Sequence, residues 1–402
     1  MEARSLRTPP HWRHWNGQRP PHGWRSQISC TVAGRSPKFA RRSPSCILHP
    51  KNERAMARTL GADLRDAFSS VEVVVVRLPS WMGDILMARP FLVELRRQTR
   101  ARVVALVRAA YAELAAWLPE VDDVLSMPDE PAWRRWAYLW RRRPTWVDRS
   151  LGITLAHSLA SAVELCALGV PWRYGYATDH RRLFLTHWMT AARGHRTPES
   201  LHFLRLLLPI LGSVPEVPVA LPGLRFPEEV PPPTDFPEDY VFVYADASRR
   251  PRAWPSERYI RLIQRLTACG QAVVAAWPRW APPLPATDRV HILRPDVPLL
   301  ELARVIRGAR WFIGNDGGPA HLAAALGVPC SVIYGPGHPA RHRPIGTGQP
   351  IHAIHADWPC SPCRQKFFRE CRPVAPFRPA CLDVLNVEFV WRPVATVLGL
   401  LR

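Results

Sequence analysis

One segment constrains this chain more than any other: residues 311–326 pass from a short apolar run through two glycines into an alanine- and leucine-rich stretch. The apolar run predicts a buried strand, and the stretch that begins at Pro319 predicts a helix. Gly317 and Gly318 lie in the turn, where the absence of side chains lets a ligand approach the backbone. The free N–H groups and positive dipole end of such a helix bind anions, so the segment predicts a site for a nucleotide diphosphate.

The composition indicates a large globular chain. It has 402 residues, of which 47% are hydrophobic, and this is enough for two or three folded domains. No uninterrupted apolar run approaches the roughly 20 residues that a membrane span needs. Nine cysteines in a chain of this length do not indicate a secreted disulfide scaffold, so a reducing cytosol is the expected compartment.

The positive charge is unevenly distributed. The net charge is +21, and residues 1–55 hold eleven Lys or Arg against two acids, which gives 11 − 2 = +9 there and +12 on the rest. These residues show neither helical nor strand periodicity, so we predict a disordered basic leader over residues 1–69, with Met56 as an alternative start. A nucleic-acid-binding arm is the other interpretation. The +12 of the remainder indicates an acidic partner, such as a phosphorylated lipid or a nucleotide.

Strands and helices alternate after this leader, which is typical of an α/β protein with parallel sheets. Eight prolines between Val214 and Pro237 are incompatible with a regular helix or inner strand and predict a semi-rigid linker over residues 214–238. The linker separates a predicted first domain, 70–213, from a predicted second domain, 239–385, and an apolar helix, 386–402, closes the chain. Two doubly wound, Rossmann-like domains joined in this way face a central cleft.

The apolar runs place the individual elements. The predicted strands of the first domain are Val71–Leu78, Arg102–Val107, Val121–Ser126, Trp146–Leu155 and Tyr174–Tyr176. Those of the second domain are Tyr240–Ala245, Ala272–Trp277, His291–Leu293, Trp311–Gly314, Cys330–Tyr334 and Ile351–His355. The predicted helices are one that runs from the turn at residues 79–84 to about Gln98, then Ala109–Leu118, Ser256–Ala268, Leu299–Arg307, Pro319–Leu326 and Asn386–Leu401.

Two motifs, in this order and spacing, resemble one family. They are Pro79-Ser80-Trp81-Met82-Gly83-Asp84 after the first strand, and Gly314-Asn315-Asp316-Gly317-Gly318-Pro319-Ala320-His321. Both are similar to the heptosyltransferases that build the inner core of lipopolysaccharide, and the first is most similar to heptosyltransferase II. Residues 170–176 and 252–255 add weaker support, and the resemblance extends from about Val71 to the C-terminus.

The resemblance implies a GT-B fold and no cofactor. It implies that the domain 239–385 binds the donor, ADP-heptose, and that the domain 70–213 binds the acceptor, a lipid-anchored lipopolysaccharide core. It also implies a cytoplasmic protein in peripheral contact with the inner membrane of a Gram-negative-type bacterium, without a nucleic-acid partner. It assigns Asp84 the role of general base in an inverting transfer. The acceptor hydroxyl would lose its proton to this carboxylate while it attacks the anomeric carbon, and ADP would leave from the opposite face. An N-cap of the following helix is the alternative role for Asp84.

The leaving ADP carries two phosphates, whose charge must be stabilised as the bond breaks. No Asp-x-Asp motif stands in a suitable place, which favours a metal-independent reaction. The resemblance implies that Arg252, where relatives usually have lysine, supplies the cation and that Ser248 helps to bind phosphate. Arg249 and Arg250 lie close in sequence and could replace Arg252. The remaining predicted substrate-binding residues are Asp316, Gly317, Gly318 and His321.

Each of these assignments has a local alternative. Asp316 is predicted to orient backbone amides or contact a sugar hydroxyl, with helix capping as the alternative. His321 is predicted to hydrogen-bond the diphosphate or the heptose, with a structural histidine as the alternative. Three departures from the family also stand out: Gly317 replaces Thr or Ser, Ala245-Asp246 replaces Pro-Gly, and no glycine and acid for the ribose follow Trp277.

Two clusters lie outside these motifs. Cys360, Cys363, Cys371 and Cys381 have metal-ligand character, and we consider a structural site, with Zn²⁺ as the most suitable ion, against free thiols. Trp133, Trp136 and Trp140 fall at i, i+3 and i+7 among five arginines. We predict a core-facing tryptophan stripe, with a membrane-surface helix as the alternative.

Other functions remain open at this stage. Within the family, the alternatives are a heptosyltransferase III-like activity and heptosyl transfer to protein. A GT-B-fold sugar-nucleotide epimerase would require several acid–base residues around the sugar, where the chain offers mainly Asp84 and His321. A non-catalytic sugar-nucleotide- or RNA-binding module is suggested by the basic charge alone.

Overall fold

The computed structural model describes residues 62–401, apart from 192, 193, 195, 228–235, 295, 364–367, 370 and 372. Most of the predicted basic leader therefore lies outside the described residues. Its end differs from the prediction, because residues 62–70 form helix α1. Leu64, Ala67 and Phe68 are buried on one face of α1, so this helix is anchored by apolar packing at helical spacing.

The first domain is built on a six-stranded parallel sheet. Its strands are β1 (Val73–Arg77), β2 (Arg102–Arg108), β3 (Asp123–Met127), β4 (Ser150–Thr154), β5 (Trp172–Tyr176) and β6 (His187–Met189). They lie in the order β3-β2-β1-β4-β5-β6. Its helices are α2 (Met82–Met87), α3 (Arg89–Gln98), α4 (Ala112–Ala116), α5 (Ala132–Arg141), α6 (Leu159–Leu168), α7 (Glu199–Leu204) and α8 (Leu208–Leu211).

The second domain repeats this architecture. Its strands are β7 (Val241–Tyr244), β8 (Val273–Ala276), β9 (Val290–Leu293), β10 (Trp311–Asn315), β11 (Cys330–Tyr334) and β12 (Ile351–His355). They are parallel, in the order β12-β11-β10-β7-β8-β9. Its helices are α9 (Ser256–Ala268), α10 (Leu299–Gly308), α11 (Gly318–Ala325), α12 (Pro339–His342), α13 (Ala380–Asp383) and α14 (Val387–Val397), and a small hairpin joins β13 (Pro373–Ala375) to β14 (Arg378–Pro379).

Both sheets therefore have the doubly wound Rossmann order, and the predicted α/β, GT-B class is confirmed. Strand alternation explains how each sheet is covered on both faces. In β1, Val74 and Val76 enter a large apolar cluster that extends into the second domain, whereas Val73 and Val75 pack under α5 and α6. The continuous cluster joins the two domains through apolar contact.

The region between the domains has few regular elements. Within the predicted linker, residues 214–227 and 236–238 contain neither helix nor strand. Leu221 and Phe226 are nevertheless buried, and the Leu221 N–H donates to the Gly346 carbonyl at 2.9 Å.

Among the helices that the structure describes, none combines the length and the apolar character that a membrane span requires.

Two local predictions differ from the structure. The single helix expected before Gln98 is divided into α2 and α3, because Pro90 has no N–H to continue the hydrogen-bond ladder of α2. The tryptophan stripe of α5 does not face the core. Trp133 and Trp140 are exposed, and Leu139 is the residue of this helix that is buried. The alternation of large and charged residues along α5 hid which face is covered by α6.

Candidate active site

The strand order reverses once in each sheet, between β1 and β4 and between β7 and β10. Ligands bind in the crevices at the carboxyl ends of strands at such reversal points. Asp84 lies in the turn and helix that follow β1, and the glycine turn, residues 316–318, follows β10. The two motifs found in the sequence thus occupy equivalent positions in the two domains.

These two turns touch each other across the domain boundary. A Cβ placed on Gly83 would lie 3.2 Å from Cδ2 of His321, and one on Gly318 would lie 3.1 Å from Cβ and Sδ of Met82. The N-terminal ends of α2 and α11 can approach this closely because both positions are glycine. The contact brings Asp84, the residue after Gly83, to the same junction as His321.

Asp84 is the third residue of α2 and is half-buried. The N-cap of α2 is Trp81, so the capping role considered for Asp84 is not the one that this geometry gives it. Burial raises the pKa of Tyr111, and the carboxylates of Asp129 and Asp84 raise it further. Tyr111 therefore lies within electrostatic range of both acids at this end of the first domain.

The glycine turn leaves room for a ligand at one of its two glycines. Gly317 is the N-cap of α11, with extended backbone (φ −172°), and a Cβ there would meet nothing closer than 3.9 Å. Gly318, by contrast, is the first helical residue and lies against Met82. The first turn of α11 contains no acidic residue, so its free N–H groups and dipole end favour an anion.

Asp316 is buried in the second domain. Its Oδ2 lies 3.5 Å from Nη2 of Arg252 and 3.9 Å from Nδ1 of His342. The same oxygen lies so close to Gly337 that a side chain at that position would displace the carboxylate. The cap of α11 has no side-chain hydrogen bond, so Asp316 does not cap the helix. It pairs with basic groups beneath the turn.

Arg252 ends a 3-10 helix, Arg250–Arg252, and lies beside the glycine turn. Its Nη2 donates to the Asp316 carbonyl oxygen at 2.9 Å. Arg250 is directed elsewhere, because its guanidinium stacks on the rings of Trp280 (4.8 Å) and Phe377 (4.4 Å). Arg252 is therefore better placed than Arg250 to contact an anion at α11. Ser248 is exposed in the loop before it.

Asn315 organises this region, a role that the sequence did not reveal. Its Nδ2 donates to the Asp246 carbonyl at 3.0 Å, and its Oδ1 accepts from the Trp254 N–H at 2.8 Å and the Tyr259 hydroxyl at 3.0 Å. These bonds join the ends of β7 and β10 across the crevice and fix the loop that carries Arg252. The signal in the sequence was an asparagine that follows an apolar run typical of a buried strand.

His321 is buried and neutral. Burial, followed by electrostatic interaction with His342 and Arg252, lowers its pKa to about 3. The neutral ring can donate from one nitrogen and accept at the other, so it can bond to a phosphate or a sugar hydroxyl without adding charge.

A pocket opens at the carboxyl ends of β7, β8 and β9, next to the glycine turn in the sheet. Apolar and aromatic side chains line most of it, and Asp246 and Arg294 supply polar groups; the remaining lining residues are Tyr244, Ala276, Trp277, Leu293, Val297 and Leu302. Oδ1 of Asp246 accepts from Nε1 of Trp280 at 3.2 Å. An acid thus faces this pocket from the loop after β7, whereas Trp277, the residue after β8, is followed by Pro278 and Arg279.

Charged side chains also join the two domains near His342, at its neighbour Arg341 on α12. Glu199, at the start of α7, lies 3.5 Å from Arg341 Nη2 and 3.8 Å from His157 Nε2. His157 follows β4 at the reversal point of the first sheet. Sequence reasoning missed this group, because its members come from distant loops with no shared motif.

The four predicted metal-ligating cysteines lie near one another. Burial, together with the other three thiols, raises the pKa of the Cys381 thiol to about 12. Within the described residues, the His/Cys/Asp/Glu group whose ligand atoms all lie within 4.8 Å of one another is His338, His355 and Asp357. Nδ1 of His338 accepts the Ala340 N–H, so Nε2 carries the proton of a neutral ring and faces Asp357 at 3.6 Å. This arrangement favours an imidazole–carboxylate pair over metal ligation.

Comparisons with known proteins agree with this architecture. The family model for glycosyltransferase family 9 (heptosyltransferase) matches residues 148–371. Lipopolysaccharide heptosyltransferase 1 of Pseudomonas aeruginosa is 26% identical over 337 residues, which is 74% of this chain and 87% of the relative. The solved ADP-heptose lipopolysaccharide heptosyltransferase II of Escherichia coli is 19% identical, with a TM-score of 0.62 over 82% of this chain and 98% of its own. A family 9 glycosyltransferase from Veillonella parvula is 17% identical, with a TM-score of 0.64 over 82% and 97%.

Proposed function

The chain belongs to glycosyltransferase family 9, the heptosyltransferase family, and we propose that it transfers heptose from ADP-heptose to a lipopolysaccharide inner-core acceptor with inversion at the anomeric carbon. The observation that carries this proposal is the contact between the turn of Asp84 and the glycine turn of α11. It brings a carboxylate suited to general-base catalysis next to an anion site suited to a nucleotide diphosphate.

In the proposed reaction, Asp84 accepts the proton of the acceptor hydroxyl while its oxygen forms a bond to the anomeric carbon. The bond between that carbon and the β-phosphate oxygen breaks, and ADP leaves with the bonding electron pair. A positioned base typically contributes about 10²–10⁴-fold. The half-buried setting of Asp84 in the first turn of α2 leaves it accessible from the domain boundary.

The donor is proposed to lie along the carboxyl edge of the second sheet. Its diphosphate would accept hydrogen bonds from the N-terminal amides of α11 and from Arg252, with Ser248 as a further donor. The adenosine would occupy the pocket at β7–β9, with Asp246 on the ribose in place of the acid that follows β8 in relatives. His321 would contact the diphosphate or the heptose as a neutral ring.

The acceptor is proposed to be a lipid-anchored lipopolysaccharide core, reached from the first domain at the cytoplasmic face of the inner membrane. The Pseudomonas relative is named heptosyltransferase 1 and the solved Escherichia coli structure heptosyltransferase II. The acceptor sugar, and the predicted likeness to heptosyltransferase II, therefore remain proposals. The structural metal site at the four cysteines also stays a prediction, which metal analysis of the purified chain would test.

The experiment is to incubate the purified chain with ADP-heptose and a panel of truncated core acceptors, and to read the products by mass spectrometry. We expect one acceptor to gain the mass of a single heptose and free ADP to appear in equal amount. Binding of ADP-heptose without transfer to any acceptor would contradict the proposed acceptor class. Absence of both binding and transfer would contradict the donor as well.

A further inference from the structure

One surface of the first domain exposes large aromatic side chains that the reaction does not use. α5 presents Trp133 and Trp140 to solvent, with 61% and 66% of their surfaces exposed. Their i, i+7 spacing places them on the same face of the helix, and the partly buried Ala137 lies between them. Exposed apolar side chains aligned in this way mark an interaction surface.

The same helix is strongly basic. Residues 131–143 contain five arginines and no acidic residue. Arg134 stacks on the ring of Trp133 at 5.1 Å. Three of the arginines are paired with acids nearby: Arg134 with Glu130, Arg135 with Glu164 and Arg143 with Asp148. Arg141 and Arg142 are exposed, and within the described residues neither has an acidic partner in an ion pair.

This surface begins near the carboxyl edge of the first sheet, where Asp84 lies. The loop into α5 contains Asp129, whose carboxylate bonds to Arg108 Nε at 2.6 Å and to the Ala110 N–H at 2.8 Å. Tyr111, next along the chain, lies within electrostatic range of both Asp129 and Asp84. The helix therefore begins at the edge of the sheet that carries the proposed base.

We propose that the Trp133–Trp140 face of α5 binds the surface of an anionic phospholipid bilayer. The indole rings would lie at the headgroup boundary, and Arg141 and Arg142 would contact lipid phosphates. Arginines that lack an acidic partner among the described residues, beside exposed rings, are complementary to anionic headgroups, although Arg142 also lies over the Tyr138 ring at 4.9 Å. A second copy of this basic face would repel it. The purpose of this surface rests on the proposed function, but lipid binding can be measured without any heptose transfer.

The test is co-sedimentation of the full chain with phosphatidylcholine vesicles that either contain or lack phosphatidylglycerol. We expect stronger binding to the anionic vesicles, and W133S/W140S should weaken it about tenfold. R141E/R142E should remove the preference for anionic lipid. The matched controls are W172S, on the exposed side of β5, and R97E, on α3; both should bind as the unsubstituted chain does.

The basic residues 1–55 are present in every variant, so a difference between variants isolates α5. Equal binding of W133S/W140S and the unsubstituted chain to anionic vesicles would overturn the proposal. A change in the mass of the chain in solution with unchanged vesicle binding would assign the face to a second copy and would also overturn it. Lipid binding that depends on α5 in a chain that transfers no heptose would support this inference while contradicting the proposed function.

Discussion

The helices that follow β1 and β10 begin at equivalent places in two sheets of the same strand order, yet their first turns differ in charge. α2 contains an acid, Asp84, in its first turn, whereas the first turn of α11 contains none. The carboxylate on α2 lies at its own positive helix end, whereas the corresponding end of α11 has no acid in its first turn. In the proposed function, the same strand–turn–helix unit supplies the base in one domain and the phosphate site in the other.

The largest effect is expected when the carboxylate of Asp84, in the first turn of α2, is removed. The variant Asp84→Asn keeps the shape of the side chain but cannot accept the acceptor proton. We expect kcat to fall by about 10²–10⁴-fold, because that is the usual contribution of a positioned base. ADP-heptose should bind as before or slightly more tightly, since a negative charge near α11 is removed. Transfer rates and calorimetric titration with ADP-heptose measure the two effects separately.

Asp123→Asn is the matched control, because Asp123 lies in the same domain, on β3, and is half exposed in an ion pair with Arg102. It should leave both rate and affinity unchanged. If Asp84→Asn retained full transfer activity, the base would have to be another group and the two turns would not differ in function as we describe.

A smaller effect, on ADP affinity, is expected beside the glycine turn. Arg252→Ala should weaken ADP binding by about 10–100-fold, because hydrogen bonds to charged groups contribute roughly 1.5–3 kcal/mol. Arg252→Lys should retain most of the affinity, since it keeps the charge. Arg250→Ala is the comparison variant, because that guanidinium stacks on Trp280 and Phe377. ADP affinity of Arg252→Ala equal to that of Arg250→Ala would exclude Arg252 from the phosphate site.

Much of this arrangement was predictable from the sequence. Buried parallel strands are continuous apolar runs, so β11 and β12 were predicted to the residue and β10 to within one. Asp84 and the glycine turn follow such strands directly, so their positions at the carboxyl edges could also be foreseen. The contact between the two turns could not be foreseen. The approach of Gly83 to His321 depends on how the two domains pack, and nothing local in either motif encodes it.

Burial also decided what the sequence left ambiguous. Asp316 pairs with Arg252 and His342 beneath the turn, a contact that the sequence did not indicate, and its predicted role in substrate binding stays a prediction. The tryptophans of α5 fit a core-facing stripe by spacing alone, but the side of a helix that neighbours cover depends on tertiary contacts. Asp246 and Asn315 acquire their roles from strands that are distant in sequence.

The smallest effects on substrate binding are expected from substitutions at the two glycines of the glycine turn, and they test how closely α11 lies against α2. Gly317 has extended backbone and open space around its Cβ position, so Gly317→Thr should fold normally and offer the hydroxyl that the family resemblance implies there. We expect about fivefold tighter ADP-heptose binding, the contribution of one additional hydrogen bond. Gly317→Ala, which adds bulk without a hydroxyl, should leave affinity and thermal stability unchanged.

Gly318→Ala tests the opposite expectation at the next residue. Its methyl group would press on Met82, so the variant should lose about 1–3 kcal/mol of stability, as overpacked sites do, and the two turns should separate. Denaturant unfolding and transfer rates measure both consequences. If Gly318→Ala were neutral while Gly317→Thr destabilised the chain, the two glycines would have exchanged roles. The turn that carries Asp84 would then not lie against the start of α11, and the proposed position of the base next to the donor would be contradicted.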